Sequence, residues 1–295
     1  MIRQLLVFIS LFVFSYAQAA NDKAFFWQVS SDDSIVYLTG SIHFADTSFY
    51  PLRQEIEQAF KRSDYLVVEL DISRMDNDAY NQLVAEKGMY KDGKTIKQAL
   101  STETWDQLKQ RLQQLDVDYD TIKSFKPGIL VLTLSAIHAM KMGLEPQLGI
   151  DIHFLRKAAN KPEKKIIELE TMEQQINLFL NIPNGDLLLK ESLYSLDEAE
   201  SLMTDMVRYW KQGDESQMQK LLFEDSIDQY PAFNEIYDRL FYVRNRQMTE
   251  KIEVMLKRKS ATKTSYFVVV GSGHLLGEEG IVNLLQEKGY QVKRL

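Results

Sequence analysis

Residues 35–43 read IVYLTGSIH, and residues 266–274 read YFVVVGSGH. Each block is a run of β-forming residues that ends in Gly-Ser-x-His, which predicts a strand followed by a turn and a histidine. A glycine at the end of a strand can adopt a positive φ and so turn the chain sharply. In an α/β sheet, ligands and reacting groups collect beyond the carboxyl ends of the strands. We therefore expect His43 and His274 to lie in one crevice at that edge of a sheet.

The segments around the two blocks predict the fold class. Residues 35–70 read as strand, turn, helix and strand, an order that favours a parallel sheet. Residues 171–259 contain only helical patterns, and the chain then returns to a strand, a helix and a final strand at 290–293. The sequence therefore predicts an α/β fold with a mixed or mostly parallel central sheet, flanking helices and a helical cap or insert over 171–260. The similar order at the two ends leaves an internal duplication as a second possibility.

The N-terminal twenty residues read as a targeting segment. Arg3 precedes a nearly unbroken apolar run over residues 5–17, and residues 17–19 read AQA, a typical cleavage site. The run is shorter than the roughly twenty residues that a transmembrane helix needs, and an uncleaved anchor is the alternative. The sequence thus predicts a signal peptide over 1–20, export to a periplasm, no stable membrane insertion after cleavage, and one mature α/β domain over 21–295.

Composition narrows the choice of partners and metals. The formal net charge is −7 at pH 7, which argues against nucleic acid or anionic lipid as a partner. The chain has no cysteine, so thiolate metal ligands and a cysteine nucleophile are excluded. Any metal would have to be held by imidazole or oxygen ligands, which suit harder divalent ions.

Five residues are the candidates for chemistry. His43 and His274 can hold a divalent metal together with a carboxylate, or transfer protons, since an unperturbed imidazole titrates near neutrality. Glu69 lies near the end of a strand predicted over 65–70 that should be buried, where a carboxylate is costly unless it is paired or binds a cation; a structural ion pair is the alternative. Glu170 closes the next strand, either in the same crevice or exposed to solvent. Arg244, in an amphipathic helix, could clamp a carboxylate.

Other polar residues carry weaker signals. Asp151 and His153 lie at the start of a helix, where Asp151 could simply be a helix cap without a role in the site. His138 lies within an apolar helix and is expected to be a structural residue. The chain has no Gly-x-Ser-x-Gly elbow, His-Glu-x-x-His motif, P-loop or Gly-x-Gly-x-x-Gly fingerprint, so Ser41 and Ser272 are poor nucleophile candidates.

The motifs in their order resemble the TraB/GumN family, which is related to the Tiki proteases and more distantly to the erythromycin esterases and ChaN-like proteins. The resemblance spans about residues 26–295. It rests on GSIH at 40–43, VVELD at 67–71, GID at 149–151, LET at 169–171 with Glu173-Gln174, Arg244-Asn245, and VGSGHL at 270–275.

The resemblance implies an α/β core and a site that combines the two Gly-x-x-His motifs with a glutamate, as in the Tiki metal-dependent proteases. We therefore expect a metal-dependent, metallopeptidase-like hydrolase that acts on a peptide or a small-molecule substrate, in which His43, Glu69 and His274 bind Mn²⁺, Co²⁺ or Zn²⁺. Glu170 would accept the proton of the attacking water, and Arg244 would bind a substrate carboxylate or the oxyanion. Two alternatives remain. One is a metal-independent hydrolase of esterase type with His43 as base and Glu69 as its orienting group; the other is an exported ligand- or haem-binding protein without catalysis.

Overall fold

A computed structural model describes residues 22–295, apart from the side chains of residues 197–201, 226 and 229. Its centre is a sheet of six strands in the spatial order β4-β3-β5-β2-β1-β6. β1 runs antiparallel to both of its neighbours, and the other five strands point in one direction, so the predicted mixed, mostly parallel α/β sheet is confirmed. The strands are β1 (Phe26–Ser30), β2 (Ser34–Ser41), β3 (Tyr65–Val68), β4 (Lys165–Glu168), β5 (Thr264–Gly271) and β6 (Gln291–Arg294).

The register of the central strands brings the two Gly-Ser-x-His motifs together. β5 lies between β2 and β3, and it pairs in parallel with both. Gly40 is opposite Val270 and Ser41 is opposite Gly271, so the two motifs lie side by side but one residue out of register. On the other side of β5, Val68 at the end of β3 is opposite Val269. The carboxyl ends of three neighbouring strands therefore open onto the same edge of the sheet.

The helices flank this sheet and fill the long connections between its strands. Their ends carry ordinary capping signals; at the start of α7, for example, the Thr171 hydroxyl accepts a hydrogen bond from the Gln174 amide and the Gln174 side chain accepts one from the Thr171 amide. The α-helices are α1 (Gln54–Arg62), α2 (Asn77–Leu83), α3 (Thr102–Leu115), α4 (Tyr119–Ile122), α5 (Pro127–Lys141), α6 (Ile150–Ala159), α7 (Met172–Leu180), α8 (Gly185–Gln212), α9 (Glu215–Gln219), α10 (Asp225–Gln229), α11 (Asn234–Tyr237), α12 (Val243–Leu256) and α13 (Ile281–Glu287).

Two hydrophobic clusters hold these layers together. The first packs helices against the sheet, and its Phe154 ring lies 5.1 Å from Phe60 and 4.7 Å from Phe267. Each buried aromatic ring of this kind contributes roughly 1.5–3 kcal/mol of transfer free energy. The second cluster lies among the helices and joins α3 and α5 to α8 and the segment near Phe233. The helical part of the molecule thus has a core of its own, and residues before 171 contribute to it as well.

The observed elements agree with most of the sequence prediction. Residues 171–259 contain helices and no strand, and the strand predicted over 65–70 ends at Val68. An internal duplication is not shown, because β2 forms a hairpin with β1 whereas β5 lies between two parallel neighbours. The predicted signal peptide falls outside the described residues. None of the helices within 22–295 combines the length and apolar character needed to cross a bilayer.

Candidate active site

The candidate active site lies at the carboxyl ends of β2, β3 and β5. Glu69 immediately follows β3, and its Oε1 accepts a 2.6 Å hydrogen bond from the backbone amide of Gly271. His274 follows β5 in a short 3₁₀ turn, where its Nε2 lies 3.8 Å from the same carboxylate oxygen. His43 follows β2 beside them. The sheet register therefore brings together residues that are more than two hundred positions apart in the chain.

Gly271 marks the centre of this group. A Cβ atom at Gly271 would lie 3.4 Å from Glu69 Oε1, 3.5 Å from His274 Cδ2 and 3.6 Å from His43 Nε2. The three predicted metal-binding side chains thus surround one point, and the absent side chain of residue 271 leaves space there for a water molecule or a substrate atom.

The two motif glycines serve a different purpose from the one that the sequence suggested. Neither Gly40 nor Gly271 has a positive φ, and Gly271 has φ −51°. Gly40 is required for close packing, since a Cβ there would lie 2.8 Å from Ser272 Oγ and 3.0 Å from Phe25 Cβ. The prediction of a positive-φ turn was wrong. The first motif needs glycine because neighbouring atoms come too close to Gly40 for any side chain, whereas a Cβ at Gly271 would meet only ordinary van der Waals contacts.

Arg244 connects the two predicted glutamates. Its Nη2 donates to Glu69 Oε2 at 2.7 Å and to Glu170 Oε2 at 2.6 Å, and its Nε donates to Glu170 Oε1 at 2.7 Å. Nη1 donates to the Leu240 carbonyl oxygen at 2.9 Å. Leu240 belongs to a single π-helical turn (Asp238–Tyr242) that precedes α12, a distortion that often occurs at functional sites. The guanidinium is therefore fixed in place before any substrate binds.

The carboxylate of Glu170 is occupied by hydrogen bonds and does not face the site cavity. Both of its carboxylate oxygens accept hydrogen bonds from Arg244, and Oε2 also accepts one from Gln175 Nε2 at 3.1 Å. Glu170 does not line the cavity onto which His43, Glu69, Arg244 and His274 open. Its position suits it to orient Arg244 rather than to take a proton from water.

Each histidine is held by its Nδ1 atom. The Asn245 side chain donates through Nδ2 to the Glu279 carbonyl at 2.8 Å, so its Oδ1 faces His274 Nδ1 at 2.6 Å and accepts a hydrogen bond from the Nδ1–H. His43 Nδ1 lies 3.3 Å from Asp151 Oδ2. Both rings consequently present Nε2 to the site, as metal-ligating or proton-transferring histidines do when a second group fixes their tautomer.

The two histidines have opposite pKa shifts. Burial lowers the pKa of His274 to about 4, despite the opposing charge of Glu69. Partial desolvation lowers the pKa of His43, but the charge and hydrogen bond of Asp151, together with Glu69, outweigh it and raise the pKa to about 9. The His43 side chain is 55% exposed, so solvent screens part of this attraction. At neutral pH His43 is thus the proton-bearing ring and His274 the neutral one.

Glu69 remains ionised in this environment. Burial raises its pKa, but the charges of His274, His43 and Arg244 and the Gly271 amide outweigh burial and lower the pKa to about 2. Because His274 is neutral near pH 7, the stabilising partners at that pH are Arg244, His43 and the amide. Glu69 is therefore a buried, charged group at the candidate site and also the ion-pair partner of Arg244. Its geometry is compatible with both predicted roles, the functional one and the structural ion pair.

The remaining histidines lie elsewhere. His153 Nε2 is 2.7 Å from Glu57 Oε1, and its ring packs against Tyr50 on the outer side of α6. His138 is half-buried in α5, outside the residues that line the site cavity. The sequence did not reveal the roles of Asn245 and Gln175. Asn245 adjoins Arg244 in the quoted motif, but its contact with His274 depends on how α12 packs against the end of β5.

The donor chemistry of the site fits a divalent cation. The His274 Nε2 lone pair and the Glu69 Oε1 carboxylate oxygen face each other at 3.8 Å, and two acceptors placed in this way call for a cation or a water between them. Glu69, Glu170 and Asp151 carry three negative charges against the positive charges of Arg244 and protonated His43, so one negative charge remains to favour a cation. A metal held by His43 would displace the proton from its ring. Among residues 22–295, however, no group of three or more His, Cys, Asp or Glu side chains is already arranged to hold a metal ion.

Comparison with known proteins identifies the family. Residues 25–294 match the model of the TraB/PrgY/gumN family, and the chain therefore belongs to that family. It is 27% identical over 251 residues to "Uncharacterized protein YbaP" of Escherichia coli (strain K12), an alignment that covers 85% of this chain and 87% of the relative.

More distant relatives carry a functional name. The chain is 22% identical over 327 residues to "Metalloprotease TIKI2" of Xenopus tropicalis, which covers 92% of this chain and 60% of that protein. A "Metalloprotease TIKI homolog" of Amphimedon queenslandica is 32% identical over 80 residues, which is 27% of this chain and 15% of the relative. No solved structure gives a significant match.

Proposed function

We propose that this protein is an exported metal-dependent hydrolase that cleaves peptide bonds. The observation that carries the proposal is the convergence of His43 Nε2, Glu69 Oε1 and His274 around the open side of Gly271. The resemblance to proteins named as metalloproteases supports the same reaction class at low identity. His43, Glu69 and His274 would hold a divalent ion of the Mn²⁺, Co²⁺ or Zn²⁺ type, which lowers the pKa of a bound water and polarises a carbonyl.

The protein side chains would perform distinct parts of the reaction. Asp151 and Asn245 fix the two rings so that both Nε2 atoms face the reacting centre. Arg244 lies against the cavity and uses one Nη1 hydrogen on Leu240; within the described residues the second is in no hydrogen bond, so it can donate to the developing oxyanion. We reassign Glu170 from proton acceptor to positioning residue, because its oxygens hold Arg244.

A metal-independent hydrolase is the second candidate, and the opposite pKa shifts of the histidines favour it. A pair of titratable groups whose pKa values are driven apart is typical of an acid–base pair. Here the neutral His274 would accept the proton of the attacking water, and the protonated His43 would donate to the leaving group. Glu69 and Arg244 would provide the same electrostatic framework in both mechanisms.

A hydrolysis assay with and without metal separates the two candidates. The mature protein would be treated with a chelator, reloaded with Mn²⁺, Co²⁺ or Zn²⁺, and assayed on a mixture of unstructured peptides by mass spectrometry. We expect cleavage only after reloading, and its loss in His274→Ala and Glu69→Gln. The matched control is His153→Ala, a histidine that pairs with Glu57 outside the site and should leave the rate unchanged. Full activity in the chelated protein would favour the metal-independent hydrolase.

Export is part of the proposal and has its own test. The apolar run over 5–17 and the AQA sequence at 17–19 support a cleaved signal peptide. Mass spectrometry of the periplasmic protein should find an N-terminus at Ala20 or within a few residues of it. An intact Met1 on the exported protein would contradict cleavage.

A further inference from the structure

Two apolar cavities meet at the candidate catalytic groups. The helix-side cavity, of about 380 Å³, is walled by Leu132, Phe179, Met206, Met218 and Phe241. The loop-side cavity, of about 460 Å³, is walled by Phe44, Ile72, Met75, Pro146 and Ile152. Both volumes lie in the range of cavities that bind small ligands or substrate side chains.

The two cavities share only four residues in their linings: Ser41, His43, Glu69 and Gln175. His43 and Glu69 are the groups that we place at the reacting centre. A substrate whose scissile bond lies beside them would therefore extend into one cavity on each side.

The linings contain few charges outside the catalytic set. Arg244 is the one further charged side chain in the helix-side cavity, and it is already paired with Glu69 and Glu170. Asp151 is the one further charged side chain in the loop-side cavity, where it faces His43. Arg244 and Asp151 are already paired, and the remaining Nη1 hydrogen of Arg244 is assigned to the oxyanion. Among the described lining residues a charged substrate side chain would therefore lose hydration without gaining an ion-pair partner of its own, so both cavities favour apolar groups.

We propose that the two cavities are specificity subsites on either side of the scissile bond, and that the substrate is an extended polypeptide segment with bulky apolar side chains flanking the cleaved peptide bond. This inference rests on the proposed hydrolase function and adds its substrate class. Two separate apolar cavities suit a peptide better than an acyl ester, because a peptide carries a side chain on each side of the bond whereas an acyl ester has one long apolar chain.

Internally quenched peptides that vary one flanking position at a time test the inference on the metal-loaded full-length mature protein. We expect kcat/KM to fall by about 10-fold or more when Leu, Met or Phe on either side is replaced by Asp or Lys. Ile72→Lys should lower kcat/KM about 10-fold for apolar residues at one flanking position only, and should improve cleavage when Asp is placed there. Leu132→Lys should do the same for the opposite position.

Val254→Lys is the matched control, because Val254 is an apolar residue of α12 that is 70% exposed and lines neither cavity. Its peptide preferences should equal those of the wild type. Circular dichroism melts would confirm that each lysine variant folds, and Ile72 is already 38% exposed, so its substitution is compatible with folding.

The outcomes for the subsites and for the hydrolase proposal are distinguishable. If the wild type cleaves peptides without regard to the flanking side chains, the subsite inference is overturned while the hydrolase proposal stands. If no peptide is cleaved, the hydrolase proposal is rejected and fluorescence anisotropy of the same peptides tests the subsites. Tighter binding of apolar than of charged peptides, together with weaker binding of the apolar peptides by Ile72→Lys, would support the subsites. Absence of any binding preference, or hydrolysis of p-nitrophenyl alkanoates that depends on chain length without peptide binding, would overturn the inference.

Discussion

Gly271 lies among three polar side chains and leaves their centre open. A methyl group at this position would approach Glu69 Oε1, His43 Nε2 and the His274 ring at 3.4–3.6 Å, which is ordinary van der Waals contact. The fold should therefore tolerate alanine, but the space for water or a substrate atom would be filled. A substitution at residue 271 can therefore test the reaction without disturbing the fold.

We predict that Gly271→Ala lowers hydrolysis by about 100-fold or more, since a misplacement of about 1 Å at a reacting centre can have an effect of that size. Its melting temperature should stay close to that of the wild type. Gly40→Ala provides the contrast, because its Cβ would lie 2.8 Å from Ser272 Oγ and should destabilise the protein. Wild-type activity in Gly271→Ala would show that the reaction takes place elsewhere.

Asn245 acts on the site through His274. The amide is fully buried, and it holds the proton of His274 on Nδ1 so that Nε2 is left as a lone pair. We predict that Asn245→Ala weakens activity or metal affinity by about 10–100-fold, which is the usual effect of losing a partner that orients a ligand. Asn160→Ala, at an exposed amide, is the control. An unchanged pH–rate profile in Asn245→Ala would argue against this positioning role.

The packing of α5 against α7 sets the position of the helix-side cavity. Gly128, in the first turn of α5, lies so close to the neighbouring chain that a Cβ would be 2.3 Å from the Phe179 carbonyl oxygen. Backbone atoms cannot rotate away, so a side chain at residue 128 would force the two helices apart. Phe179 itself is part of the cavity wall.

We predict that Gly128→Ala destabilises the protein by about 1–3 kcal/mol, the usual cost of overpacking a well-packed contact. Chemical denaturation would measure this change. Ser135→Ala, at an exposed position of the same helix, should be neutral or slightly stabilising because alanine is the better helix former. Equal stabilities for the two variants would mean that α5 and α7 can separate without cost.

Most elements could be predicted from the sequence because their signals are local. The β-forming runs before Gly40 and Gly271 and the helical periodicity of residues 171–259 need no information from distant residues. The position of β5 between β2 and β3 could not be predicted from local signals. The same is true of the close packing that requires glycine at position 40. Likewise, the sequence left Glu170 either in the crevice or exposed to solvent, and its pairing with Arg244 could not be predicted because Arg244 is 74 residues away and reaches it only through the packing of α12.

The helical part of the whole molecule contains a buried acid outside the site. Glu191, on α8 within the second hydrophobic cluster, accepts hydrogen bonds at 2.9 Å from Ser195 and Tyr237. Burial raises its pKa, and the two hydroxyl donors oppose this only in part. The folded state therefore binds this proton more tightly than the unfolded state, so the contribution to stability is present below the unfolded pKa and is lost as pH rises through the folded pKa.

We predict that Glu191→Gln raises the melting temperature at pH 8 but has a much smaller effect at pH 4, where the wild-type carboxyl is mostly protonated in both states. The amide oxygen can still accept from the same hydroxyl groups, so the hydrogen bonds are kept. Differential scanning calorimetry across this pH range would measure the change. Glu163→Gln, at an exposed carboxyl, is the control. A variant that is less stable than the wild type at pH 8 would contradict the direction of the pKa shift.

The fold brings His43, Glu69 and His274 into one site, and the most direct test of their function is a calorimetric titration of the chelator-treated mature protein with Mn²⁺ and Zn²⁺. We predict one ion per chain, with affinity reduced about 10–100-fold or more in His274→Ala and in Glu69→Gln and unchanged in His153→Ala. Both variants should bind the ion more weakly, because each removes or neutralises one of its ligands. Binding of equal strength in the wild type and in His274→Ala, or no binding at all, would contradict a metal site at these strand ends.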